Sequence, residues 1–174
     1  MKQPLAYVHP AAKIASNVVI DPFVTIEHNV EIGEGTRICS NVTIMEGARI
    51  GKNCIIYPGA VISAPPQDLK FQGEETVAII GDNTTIRECV TVNRGTAAKG
   101  KTVVGNNCLI MAYSHVAHDT IVGNNVIISN ATQLAGEVIV DDFAVIGGGT
   151  LVHQFCHIGS HVMIQGGGRI NKDI

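Results

Sequence analysis

The sequence predicts an all-β, single-stranded parallel β-helix, a three-sided prism wound from six-residue units. Three observations predict it: an aliphatic residue at every sixth position, a compact residue two places before it, and Asn or Gly three places after it. The aliphatic series runs from Val8 through Ile14, Ile20, Ile26 and onward to Ile62. It lapses, resumes in phase at Ile80, Ile86 and Val92, lapses again, and then runs unbroken from Val104 to Ile170. A repeat of this kind is the signature of a solenoid, in which each unit buries its apolar face only against its neighbours.

The second series includes Ala12, Val18, Val24, Ala48, Cys54, Ala60, Cys108, Ser114, Thr132, Ala144 and Cys156. Residues two apart on a strand share a face, so both series point into the prism. The third series holds Asn17, Asn29, Gly35, Asn41, Gly47, Asn53, Gly59, Asn83, Asn107, Asn125, Gly149 and Gly167. These residue types tolerate left-handed backbone angles, and they mark the corners. Three units make a coil of 18 residues, and coils stack at the ~4.8 Å strand spacing. Residues 18 apart are therefore expected to be vertical neighbours. A helix is excluded, because a period of six drifts around a 3.6-residue turn.

Composition fits this interior. The 174 residues are 45% hydrophobic yet only 4% aromatic, with no Trp and 19 Gly, so small and branched aliphatics must fill the core. The whole chain, 1–174, is expected to be one domain with two insertions, at about 64–76 and 95–102. The first insertion reads APPQDLKFQGEET, the second GTAAKGKT. Loops on a rigid scaffold often carry function. A net charge of −3 gives no basic surface to argue for nucleic acid. No segment is long enough to span a membrane, so no stable insertion is expected. The N-terminus lacks the charged start and apolar run of a secretion signal, and the five cysteines form no CxxC pair. Both features point to a cytoplasmic protein with reduced thiols. No cofactor is implied.

Chemistry concentrates in Ser114-His115-Val116-Ala117-His118-Asp119. His115 precedes an inward aliphatic and points outward. His118 enters the corner, with Gly136 and then Gln154 stacked above it at 18-residue intervals. A histidine beside a glycine offers a general base next to an exposed backbone N–H that stabilises an oxyanion. His153 lies on the same side. Asp119 either orients His118 or merely fills a corner position that favours a short polar residue. A metal-dependent hydratase of the γ-carbonic-anhydrase kind is the main alternative. Its third His ligand is missing, since no His lies between His28 and His115. The HxxH pair also spans ~10 Å of extended chain, too far for both rings to reach one zinc ion at about 2.0–2.1 Å.

The HVAHD segment, the loop PPQDLKFQGE, the strand IRECVTVNRGT and the segment AVIGGGTLVHQFCHIG together resemble the UDP-N-acetylglucosamine O-acyltransferases of lipid A biosynthesis, within the hexapeptide-repeat acyltransferase superfamily. The resemblance covers the full sequence. It implies a left-handed coil, a homotrimer with the substrate cleft between adjacent prisms, and transfer of an (R)-3-hydroxyacyl group from acyl carrier protein to the sugar 3-hydroxyl of UDP-N-acetylglucosamine. Carried over residue by residue, His118 is the general base and the Gly136 N–H the oxyanion donor. Asp68 and Lys70 contact the sugar and phosphates or the acyl donor. His115, His153 and Gln154 line the cleft, and Gly166 is the acyl-length ruler, its lack of a side chain favouring long chains. The family often has His where this chain has Asn93 and Glu137. It also has a C-terminal helical domain beyond the prism, which this sequence does not include, so the sequence is either a fragment or a truncated form, and a non-catalytic scaffold is a further alternative. Arg49, Lys99, Lys101, Arg169 and Lys172 are candidates for meeting an acidic carrier.

Overall fold

The structure is a computed structural model that describes residue 2 and residues 4–174. The chain winds as a left-handed parallel β-helix whose three faces are sheets of nine, eight and eight short strands. Most strands are two residues long, an outward residue followed by an inward aliphatic, as in Thr25–Ile26, Thr43–Ile44 and His115–Val116. All the ladders are parallel, and Ile26 sits over Ile44 as the repeat requires. The inward aliphatics Ile26, Ile38, Ile44, Ile56, Ile62, Ile86, Ile110, Ile128, Leu134, Ile146 and Ile158 are fully buried. Each contributes ~1.5–3 kcal/mol relative to exposure. Cys54 and Cys108 lie in the same interior, where burial pushes their thiols up and keeps them unreactive.

Vertical neighbours are 18 apart only away from the insertions. Ile50 pairs with Ile80 and Ile62 with Val92, a separation of 30 residues. Ile80 then pairs with Val104 and Val92 with Val116, a separation of 24. The excesses over 18 are 12 and 6 residues, whole numbers of repeat units. The period of six therefore survives both insertions while the period of 18 does not. The chain leaves the prism between strands Val61–Ala64 and Val77–Ile80, and again between Thr91–Asn93 and Lys101–Val104. Ala64, Lys101 and Thr102 are thus strand residues, although the sequence reading assigned them to the loops.

The corners hold the expected backbone. Asn29, Asn41, Asn53, Asn83, Asn107 and Asn125 all have positive φ, whereas Asn17 is not among the positive-φ residues. Phe23, Tyr113, Phe143 and Phe155 occupy the same conformation at equivalent corners. Their rings are exposed, so the corner constrains the backbone and not the side chain. The left-handed angle costs each about 1–2 kcal/mol, which the stacked coils on either side impose. One edge adds a polar ladder. The N–H of Lys52 donates to Asp82 Oδ1, that of Asp82 to Asn106, that of Asn106 to Asn124 and that of Asn124 to Asp142, at 2.6–2.9 Å. Side chains there consume the amides that the corner leaves unpaired.

Candidate active site

A groove of about 750 Å³ runs along the nine-stranded face and the corner that follows it. Its floor comes from outward residues of successive strands in register. Thr91 lies beside His115, His115 beside Gln133, Gln133 beside Leu151, and Leu151 beside Arg169. Its edge comes from the residues just past those strands, Ala117-His118, Ala135-Gly136 and His153-Gln154. Gln67 enters from the first loop and Asn93 from the strand before the second.

His118 is buried at 7% exposure, and its Nδ1 lies 2.9 Å from Asp119 Oδ2. Asp119 is fully buried and adopts φ +60°, the corner conformation, with its carboxylate against the imidazole. The Asp119 carboxylate accepts from the Thr96 N–H at 3.0 Å and from the Thr96 hydroxyl at 2.6 Å. The Asp119 N–H donates to Thr102 Oγ1 at 2.9 Å, and Lys99 Nζ donates to the Asp119 carbonyl at 3.2 Å. Burial alone raises the Asp119 pKa. The Thr96 hydroxyl, the His118 ring and the Thr96 N–H outweigh burial and hold it below the ordinary value. An ionised carboxylate on Nδ1 makes that nitrogen the proton donor and leaves Nε2 as the lone-pair acceptor.

Gly136 lies directly over the imidazole. A Cβ there would stand 2.6 Å from both Cε1 and Nε2 of His118, so any side chain at 136 must displace this ring. Ladder bonds hold the corner on either side: the Ala135 N–H donates to the Val152 carbonyl and the Glu137 N–H to the His118 carbonyl. Among the described residues, the Gly136 N–H itself has no acceptor, in contrast with the capped amides of the polar edge. A base nitrogen and an unspent amide donor therefore share one edge of the groove. His115 closes the floor, with Nδ1 2.7 Å from Thr91 Oγ1. Burial pushes its pKa down; Thr91 opposes this in part, and the neighbouring His118 adds to it.

The groove brings together His115, His118, Gly136, His153 and Gln154, with Asp119 behind His118. It does not include Asp68, Lys70 or Gly166. Asp68 Oδ1 accepts the Lys70 N–H at 2.9 Å, a turn within the first loop that leaves Leu69 fully exposed between them. Gly166 sits over Gly148 at the corner leading into the strand Arg169–Ile170, and that corner contributes nothing to the groove here. Arg169 lines the groove, whereas Lys99 faces Glu137 Oε2 at 4.0 Å and Arg49 donates to the Asn29 carbonyl and side chain. Asn93 donates from Nδ2 to the Pro65 carbonyl at 3.2 Å, pinning the start of the first loop. Sequence reasoning missed Thr91, Thr96, Gln67 and Gln133. Of these, only Gln133 was within reach, one 18-residue step above His115. Among the described residues, no group of three His, Cys, Asp or Glu could hold a metal ion, and no helix is long and apolar enough to cross a membrane.

Comparison with known proteins follows the same lines. A family model described as the GMPPB C-terminal domain matches residues 2–103, and one described as bacterial transferase hexapeptide (six repeats) matches residues 101–136, the stretch from the second loop to Gly136. The acyl-(acyl-carrier-protein)–UDP-N-acetylglucosamine O-acyltransferase of Stutzerimonas stutzeri is 46% identical over 172 residues, 98% of this chain and 67% of that protein. The enzyme of the same name from Chlorobaculum parvum is 63% identical over a 60-residue stretch that covers 23% of its length. The crystal structure of LpxA, a UDP-N-acetylglucosamine acyltransferase from Bacteroides fragilis, superimposes with a TM-score of 0.99 at 59% identity, covering 100% of this chain and 68% of that one. LpxA from Acinetobacter baumannii gives 0.98 at 41% identity, covering 99% and 67%. The chain thus spans about two thirds of the length of relatives that match it from end to end. By fold, site register and these relatives, the chain belongs to the acyl-(acyl-carrier-protein)–UDP-N-acetylglucosamine O-acyltransferase family.

Proposed function

We propose that this chain carries the catalytic prism of an enzyme that moves an (R)-3-hydroxyacyl group from acyl carrier protein to the 3-hydroxyl of UDP-N-acetylglucosamine, the first step of lipid A biosynthesis. The observation that carries this reading is the pairing of a carboxylate-anchored histidine with an unspent backbone donor, His118 over Gly136, at the edge of the groove. His118 Nε2 takes the proton of the sugar hydroxyl as its oxygen attacks the thioester carbonyl carbon. The Gly136 N–H donates to the oxyanion of the tetrahedral intermediate. Collapse expels the carrier thiolate, which takes the proton back from the imidazolium. General-base assistance is worth about 10²–10⁴ in rate, and one oxyanion donor about 10²–10³.

The proposal extends to a homotrimer in which the groove of one prism is closed by its neighbour. In this arrangement Asp68, Lys70 and Gly166, which lie off the groove of their own chain, act on substrate at the interface with a second chain. Apolar side chains exposed at or beside the groove in the single chain, Leu151 and Phe155, support burial against another copy. The test is a mass-resolved assay with UDP-N-acetylglucosamine and a set of hydroxyacyl carrier proteins of different chain length. The expected product is one O-acylated sugar nucleotide, with long chains preferred. Transfer only to a 3-amino sugar nucleotide, or no transfer by a protein that includes the remaining third of the family length, contradicts the reading.

A further inference from the structure

The second loop supplies no residue to the proposed chemistry, yet it closes over the back of the catalytic pair. Gly95 packs so tightly against the backbone of Lys101 that a side chain there has no room. The Gly95 carbonyl accepts the Thr76 hydroxyl at 2.6 Å, and the Gly100 N–H donates to the Thr96 carbonyl at 2.7 Å. This holds Thr96 buried, at 7% exposure, against Asp119. Thr96 gives Asp119 two hydrogen bonds, one to each carboxylate oxygen. Its hydroxyl and His118 Nδ1 meet on the same oxygen, Oδ2.

We propose that Thr96 is a positioning residue for the general base. This role rests on the acyltransferase reading only for its consequence in turnover, not for its geometry. A carboxylate held at one oxygen rotates about its Cβ–Cγ bond and offers either oxygen to the ring. Two donors from one residue, the amide on Oδ1 and the hydroxyl on Oδ2, remove that freedom. Oδ2 then faces Nδ1, the ring proton stays on Nδ1, and Nε2 stays bare toward the groove and Gly136. Among the described residues, the titratable groups beside the pair include His115 on the His118 side, Lys99, bonded to the Asp119 backbone carbonyl and not to its carboxylate, and Glu137, which faces Lys99. None of these competes for the carboxylate. The six-residue insertion thus becomes a clamp that fixes the tautomer of the histidine through the carboxylate they share.

The test uses Thr96→Val, which keeps the amide donor and the branched shape but removes the hydroxyl, and Thr96→Ser, which restores it. In ¹⁵N NMR of histidine-labelled protein at neutral pH, the wild-type and Thr96→Ser spectra should show His118 protonated on Nδ1. Thr96→Val should show a mixture of tautomers in a protein that remains folded, with a lowered melting temperature because the buried carboxylate loses a donor. In acyl transfer, Thr96→Val should lower kcat about tenfold with KM within about twofold, and should have less than a twofold effect in an Asp119→Asn background. A Thr96→Val protein with a wild-type His118 spectrum overturns the proposal. So does an effect of equal size in both backgrounds. Full activity in His118→Ala would instead sink the general-base reading and leave the tautomer result standing.

Discussion

The imidazole of His118 lies so close over Gly136 that a Cβ on the glycine would stand 2.6 Å from Cε1 and Nε2. Gly136 has no positive φ, so its backbone accepts an L side chain and only the ring excludes one. Gly136→Ala should therefore fold with a near wild-type melting temperature while displacing the imidazole. A misplacement of about 1 Å costs on the order of 10²-fold in rate. Steady-state kinetics of the variant should show that loss in kcat; an unchanged kcat would mean that the ring does not work from this position.

His115 gives a pH dependence of stability whose sign is fixed. Burial holds its folded pKa below the ordinary value of about 6.5. The unfolded chain therefore binds a proton first as pH falls. The stabilising contribution is complete above about 6.5 and is lost as pH drops toward the lower folded value. Thermal melts between pH 7.5 and pH 5 should show a decline in Tm that His115→Gln reduces. An equal decline in both proteins would assign the effect to other groups.

Arg94 ties the first loop to the prism. Its side chain donates to the Glu46 carbonyl at 3.2 Å and approaches Glu46 Oε2 at 3.6 Å, while the guanidinium lies 5.4 Å from the centroid of the Phe71 ring. Arg94→Ala removes the cation from above Phe71 and should weaken the docking of residues 65–76 by about 1–3 kcal/mol. Hydrogen exchange should quicken in that loop alone, with the coils from Val104 onward as protected as before. Uniform loss of protection would show that Arg94 supports the prism itself.

The fold was legible because its determinants are local and repeated. Each inward aliphatic and each Asn or Gly corner is a residue preference imposed by one strand or one turn, and the six-residue phase survives both insertions. The pairing of His118 with Gly136 was legible for the same reason: no insertion falls between them, so one 18-residue step is a true vertical step. The pairing of His115 with Thr91 was not. One step of 18 below His115 lands on Ala97 in the second loop, because the insertion lengthens that coil to 24 residues. Thr96 was hidden for a related reason. Its contact with Asp119 depends on how a loop folds back, through Gly95 and the Thr76 hydroxyl, and no periodicity encodes that. Asp68 and Lys70 stood out as charged residues of the first loop, but their roles, like that of Gly166, came from family resemblance, and the groove of a single chain does not contain them.

The most direct measurement is the turnover of His118→Ala against the wild type, with UDP-N-acetylglucosamine and a hydroxyacyl carrier protein, at matched melting temperatures. A base that Asp119 anchors and Gly136 faces predicts a loss of about 10²–10⁴ in kcat with the prism intact. Turnover within a few-fold of wild type would contradict it.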